Sequence, residues 1–277
     1  MQIDGWKYYN HAAIPTVVPC EDPDVTPIRD ESIWKLDGSP LLARWTTDFD
    51  KIDGGNWWYV IKDTPFDISQ LKAKRRYEIN RGVKFFEVKL INAREHKEAL
   101  YNLQVAAFSG YPKKYRPTVD KDDFFRTLDS WDECIVFGSF FRETNELKGY
   151  AMLTPKTERF IDFNVLKTDP VFEKYGTNAA LCAGILEHFN EFLSNGGIVC
   201  DGTRSISHET KFQEYLEDKF GFRKAYCKLH IVYSSKIKFL VKILYPFKGL
   251  LYKFDNVGRI HNINGILRME AFTRAKK

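Results

Sequence analysis

No stretch of this sequence reaches the roughly 18 uncharged apolar residues that a membrane-spanning helix needs, so no spanning helix is expected. Cysteine is scarce and unpaired in pattern: there are five, at 20, 134, 182, 200 and 227, and none forms a CxxC. No His or Cys pair stands at ligand spacing, so no metal is expected. Buried, reduced thiols in a cytoplasmic protein are the expectation instead. Met1 to Cys20 holds no basic segment leading into an apolar one, so no signal peptide is expected either. Global disorder is excluded by 44% hydrophobic and 29% charged residues over 277 positions, enough for one large domain or two modest ones with a real core.

Aromatic residues, by contrast, are abundant at 15%, and five of the six tryptophans fall at positions 6, 34, 45, 57 and 58. An N-terminal segment this rich in Trp is expected to be folded and packed. Charge is uneven. From Lys219 onward there are 14 Lys and Arg against two acids, a net +12, which leaves −7 on the remainder. A basic tail suits an anionic partner, and it equally suits docking on the acidic body.

Pattern and punctuation predict the elements. Residues 1–60 read as short strands and loops (WKYYNHAAIP, SIWKL, LLARWTTDF), and NWWYVIKD as a strand. Asp67 or Ser69 is expected to cap a helix, DISQLKAKRRYEINRG, whose Lys72, Lys74, Arg75, Arg76 and Arg81 leave a narrow apolar stripe. FFEVKLI is a strand, 94–108 a helix, and Asp122 or Asp123 begins a short one. CIVFGSFF, KGYAMLTPK and RFIDFNVLK are three strands in succession. A loop closed by Lys174-Tyr175-Gly176-Thr177-Asn178 opens a helix whose Cys182, Ile185, Leu186, Phe189, Phe192 and Leu193 face a core. A further strand, a polar loop, a helix ending in Phe220-Gly221-Phe222, and RKAYCKLHIVY as one strand complete the body. In SKIKFLVKILYPFKGLLYKF, apolar residues recur at helical spacing beside lysines, and Pro246 breaks the helix.

The strand–loop–helix from Phe160 to Leu193 and the late Gly-Phe together resemble the GNAT superfamily, the Gcn5-related N-acyltransferases, over about residues 60–233. The basic helix LKAKRRYEINRG is similar to one common in the bacterial, FemAB-like branch. The resemblance implies an α/β (α+β) fold with a mixed, mostly antiparallel sheet flanked by helices. It implies three segments: residues 1–60 as an extension packed on the main domain, 61–234 as the acyltransferase domain, and 235–277 as a basic helical tail.

The implied activity is transfer of an acyl group from acetyl-CoA or another acyl-CoA to an amine on a glycan, peptide or small molecule, without a metal. Two alternatives stand beside it. One is a FemAB-like transferase drawing on aminoacyl-tRNA, with the helix at 72–81 meeting phosphates. The other is a degenerate, non-catalytic binding module. The family binds pyrophosphate at a helix N-terminus, where free N–H groups and the helix dipole favour anions. That assigns Lys174, Tyr175, Gly176, Thr177 and Asn178 to the cofactor. Aligned on Gly176, Glu173 and Asn178 stand where the family has Arg or Gln and Gly or Ala. Asp162 is the candidate base, Tyr215 the candidate acid displaced from the family's usual position, and His208 a proton-transfer candidate. Asn164 and the loop residues Asp201, Arg204, Ser205 and Glu209 are candidates for substrate contacts, since ligand sites form at the carboxyl ends of parallel strands. The tail at 235–277 is the candidate for peripheral attachment to an anionic membrane.

Overall fold

The structure, a computed structural model, describes residues 1–111, 116–204, 211–255 and 257–274, the side chain of Arg259 excepted. In chain order the elements are β1 (Trp6–Tyr9), β2 (Ala12–Pro15), α1 (Thr26–Arg29), β3 (Leu42–Thr47), β4 (Trp58–Lys62), α2 (Ala73–Phe85), β5 (Phe86–Leu90), α3 (Lys97–Ser109), α4 (Lys121–Asp129), β6 (Ile135–Phe141), β7 (Glu146–Thr157), β8 (Phe160–Thr168), α5 (Thr177–His188), α6 (Asn190–Ser194), β9 (Ile198–Thr203), α7 (Phe212–Phe220), β10 (Arg223–Tyr226), β11 (Lys228–Tyr233), α8 (Ser235–Leu244), α9 (Lys248–Leu251) and α10 (Gly258–Arg274). Seven strands form one sheet in the order β10-β4-β9-β8-β7-β6-β5, and four form another, β1-β2-β3-β11. Of the described residues, 60–202 and 211–223 make one compact unit; 1–59, 203–204 and 224–274 make the other.

In the larger unit β5, β6, β7 and β8 form an antiparallel meander, and β9 joins β8 in parallel. The fold is thus mixed α/β with a GNAT-like, largely antiparallel sheet. Helix α5 is its central support. Ala179, Ala180, Leu181, Cys182, Ala183, Ile185 and Leu186 are all buried, nearly the whole circumference, as expected of a helix with no wet face. Helix α2 crosses it backbone to backbone. A Cβ placed on Gly82 would stand 2.5 Å from the Gly176 carbonyl oxygen and 2.9 Å from the Ala180 nitrogen. Gly176 itself holds φ at 87°, a left-handed conformation that glycine adopts without steric cost. Glycine is therefore needed at both positions: at 82 for closeness, at 176 for closeness and dihedral angle.

The smaller unit explains the tryptophans. Trp6, Ala13, Ile33, Leu36 and Ala43 form its core, with Trp34 and Trp45 packed against it. β1 and β2 are an antiparallel hairpin, β2 runs parallel to β3, and β11 closes the sheet antiparallel to β3.

Three elements differ from the sequence expectation. SIWKL forms a 3₁₀ turn at Ser32–Lys35 rather than a strand. Asp67 does act as a cap, accepting from the Ser69 N–H at 2.8 Å, but it caps a 3₁₀ turn at Ile68–Gln70. Leu71 is extended after it, so α2 starts only at Ala73. RKAYCKLHIVY is two strands in two sheets. The Cys227 N–H bonds the Trp57 carbonyl at 3.1 Å, and the chain changes sheet there. Alternation continues through the change, so periodicity does not reveal it.

The α2–α5 crossing yields a direct prediction. Gly82→Ala forces a methyl into backbone atoms and is expected to cost about 3 kcal/mol, the upper range for overpacking. Gly249→Ala, in α9 with nothing within 4 Å of the new methyl, should cost nothing or stabilise slightly. Urea unfolding of the two variants checks the contrast.

Candidate active site

Strands β8 and β9 pair over only three positions: Phe160↔Ile198, Ile161↔Val199 and Asp162↔Cys200. Beyond these positions β8, which stays paired to β7 as far as Thr168, and β9, which ends at Thr203, no longer pair with each other, so the two parallel strands part in a wedge. At the point of divergence β8 carries a bulge. Leu153 faces Phe163 and Met152 faces Val165, which leaves Asn164 as the extra residue. A bulge redirects a strand and interrupts its ladder, a frequent device beside active sites.

Side chains alternate along a strand. Asp162 lies level with Cys200, so Asp201, the next residue, points to the opposite face. There Asp201 accepts a hydrogen bond from Gln213 of α7. Burial pushes its carboxyl up to about 7 against that bond, from an ordinary value of 3.8. Cys182 of α5 feels the charges of both Asp201 and Glu173, and burial raises its thiol. Tyr215 of α7 is also raised by burial, with Cys182, Glu173 and Glu78 adding to the effect. Its ring stacks on Phe212, which meets Phe163 of β8 edge-on. Glu173 is raised by burial, and this is moderated by hydrogen bonds from Thr168, at 2.6 Å, and Asn178. Lys219 closes the group. Its Nζ donates to Glu78 at 2.7 Å, holding that carboxyl low, and rests 4.7 Å from the Tyr215 ring centre. The cluster thus holds a carboxyl at Asp201 raised to about 7 and a phenol at Tyr215 that burial keeps protonated, both within electrostatic reach of Cys182.

The residues expected around Gly176 have other duties. Thr177 is fully buried and its hydroxyl donates to the Phe172 carbonyl at 2.9 Å. Asn178 shares the Thr168 hydroxyl with Glu173. Tyr175 packs among Phe85, Phe141 and Phe172. Lys174 leans on the Tyr175 ring at 5.0 Å. A Cβ on Gly176 would meet the Gly82 Cα at 3.1 Å and nitrogen at 3.2 Å. The entrance to α5 is therefore faced by α2 and by the chain's own carboxylate at Glu173.

Asp162 lies 3.9 Å from Lys156, and Asn164 accepts from the Thr154 hydroxyl at 2.6 Å; Asp162 is on the face away from Asp201. Arg204 belongs to the smaller unit. Its guanidinium is sandwiched between Trp58 and Phe272, 4.2 Å from each, and donates to the Asn56 carbonyl at 2.6 Å. Burial lowers its pKa. Ser205, His208 and Glu209 lie outside the described residues. Sequence reasoning assigned Cys182 to packing, noted Glu173 only as a departure from the family's loop, and passed over Gln213. The one available signal was a glutamate directly before a Lys-Tyr-Gly turn, where the family carries no acid. Among the described residues no group of three His, Cys, Asp or Glu could hold a metal ion, and no helix is long and apolar enough to cross a membrane.

No protein-family model matches the chain, and no curated protein matches it in sequence. Solved structures do match in shape. The C-terminal domain of a protein described as a lysylphosphatidylglycerol synthetase from Agrobacterium fabrum superimposes with a TM-score of 0.51 at 10% identity, over 83% of this chain and 81% of that one. L-PGS from Bacillus licheniformis gives 0.51 at 12% identity, over 98% and 86%. FemX gives 0.51 at 8% identity, over 78% of each chain. The chain therefore has a GNAT-like fold, shared with these structures.

Asp201 also sets a pH signature. Its folded pKa lies above its unfolded value, so the folded state holds an extra proton between about pH 4 and pH 7. Its contribution to stability is complete at the acid end of that window and is lost as pH rises through about 7. Asp201→Asn removes this loss. Thermal unfolding should show the variant gaining on the native chain as pH rises across the window. Parallel curves would place the Asp201 titration elsewhere.

Proposed function

We propose that the chain is an acyl-group transferase working in the β8–β9 wedge, and that its donor is an aminoacyl-tRNA. The observation that carries the chemistry is Asp201, a carboxyl poised near neutrality at the end of a parallel strand, with the Tyr215 phenol in the same cluster. In the reaction an acceptor amine attacks the ester carbonyl of the donor. Asp201 takes the proton the nitrogen sheds as the C–N bond forms. The C–O bond to the ribose then breaks, and Tyr215 supplies a proton to the departing oxygen. The acceptor class is an amine on a small molecule, glycan or peptide.

Two observations favour this donor. An acyl-CoA, the other expectation, would bring its pyrophosphate to the entrance of α5, where Gly82 packs against the backbone and the carboxyl of Glu173 is buried close by. Helix α2, in turn, offers a nucleic-acid-like face. Lys74, Tyr77, Arg81 and Lys84 follow one another at i, i+3, i+7 and i+10, and all are exposed, Tyr77 to 67%. Cations beside an exposed aromatic ring suit phosphates and an unstacked base. Arg75 and Arg76 serve the fold instead. Arg75 pairs with Asp218 and Glu78, and Arg76 donates to the Leu71 carbonyl at 2.7 Å. The lysyl group in the name of one similarly folded protein supports the same reading.

Fluorescence anisotropy with tRNA tests it. Changing Lys74, Arg81 and Lys84 together to Glu should weaken binding at least tenfold and flatten its salt dependence. Acetyl-CoA should leave the melting temperature of the native chain unmoved. Undiminished tRNA binding by the variant, or a melting shift with acetyl-CoA, would overturn the assignment of the donor.

A further inference from the structure

All three exposed phenylalanines among the described residues lie in one segment of the smaller unit: Phe239 at 67%, Phe247 at 58% and Phe254 at 48%. Ile243 and Leu250 are exposed with them. From Ser235 to Phe254 the backbone is helical in successive pieces: α8, a 3₁₀ turn at Tyr245–Phe247, α9 and a 3₁₀ turn at Tyr252–Phe254. Residues 239, 243, 247, 250 and 254 step by four, four, three and four, the spacing of a single stripe on a helical path. The stripe is not waiting for a core. The inner side of the segment is already engaged: Val241 is buried beneath α8, and Asn264 of α10 donates to the Leu251 carbonyl at 3.0 Å and to Asp255 at 2.8 Å. Arg268 pairs with Asp255 at 2.9 Å, and Leu267 is buried.

Charge identifies what the outer side meets. Between Ser235 and Phe254 there are five lysines and no acid. Lys248 turns inward to the Tyr245 hydroxyl at 2.8 Å, while Lys236, Lys238, Lys242 and Lys253 are exposed beside the stripe. A second copy of the chain would bring like charges together over this face. A surface of anionic lipid headgroups accepts both the phenylalanines and the lysines. We infer that the 235–254 segment lies on an anionic membrane, with Phe239, Ile243, Phe247, Leu250 and Phe254 inserted at the headgroup–acyl boundary. The attachment is independent of the donor assignment, and it holds the chain beside a lipid surface without a spanning helix.

Sedimentation with vesicles tests the inference on the full chain. Binding is expected to vesicles of equal parts phosphatidylcholine and phosphatidylglycerol, and not to phosphatidylcholine alone. Replacing Phe239, Phe247 and Phe254 together by Ser should lower the partition coefficient at least tenfold. These side chains are exposed, so the fold should survive, as circular dichroism would register. Exchanging Lys238, Lys242 and Lys253 for Gln should weaken binding roughly fivefold per lysine, the equivalent of about 1 kcal/mol each at an anionic surface. Three results would overturn the inference: no binding to the anionic vesicles, binding indifferent to the phenylalanine changes, or a vesicle-free dimer that the same changes dissociate.

Discussion

Helices α2 and α5 touch through backbone, glycine against glycine, and much of the larger unit follows from that crossing. Gly82 and Gly176 allow the approach, because any side chain at 82 would enter the Gly176 carbonyl and the first turn of α5. With α2 seated there, the entrance of α5 is enclosed. Thr177 is buried and its hydroxyl ties back to Phe172, while Glu173 is fixed by Thr168 and Asn178. The buried Glu173, held by Thr168 and Asn178, stands beside the helix N-terminus that would otherwise be open to an anion. The same crossing turns the Lys74–Lys84 face of α2 outward.

Enclosure at one end of α5 is the reason the proposed chemistry is assigned to the wedge between β8 and β9. Burial there works in one direction on every acid: it disfavours the charged form of Asp201, Glu173, Cys182 and Tyr215 alike. Hydrogen bonds set the differences. Gln213 supports one carboxylate, and Thr168 with Asn178 supports the other. Two acids in one cluster thereby come to differ: Asp201 is raised to about 7, the proton acceptor of the proposed transfer, while Glu173 is tied into the turn before α5.

How much of this could be read beforehand depends on how local each signal is. The meander, the central helix and the Gly-Phe end are carried by periodicity and turn residues, and they place the fold. Asp201 was an expectation because ligand sites collect at the carboxyl ends of parallel strands, and the structure adds its burial and its bond from Gln213. Gly176 is ambiguous for a physical reason: a left-handed glycine before a helix serves an anion or a close helix crossing equally well, and its partner, Gly82, is remote in sequence. Arg204 was expected at the site because a polar loop follows it; the structure adds two aromatic rings and a carbonyl as its partners, which no local pattern announces. Cys182 shares the helical period of its apolar neighbours, so only three-dimensional proximity shows that it lies near Asp201 and Glu173. Asp67 capped a turn one residue class short of the helix, a distinction of about one turn that propensity does not resolve.

The division of labour around α5 is most directly tested by backbone amide NMR on the full chain. The probes are acetyl-CoA and a short RNA minihelix charged with an amino acid. With the charged minihelix, shifts are expected at Val165, Cys182 and Asp201 and along the exposed face of α2. With saturating acetyl-CoA, the amides of Gly176, Thr177 and Asn178 should not move. Acetyl-CoA shifts concentrated at those three amides, with the wedge indifferent to the minihelix, would contradict the enclosed entrance and the transferase site derived from it.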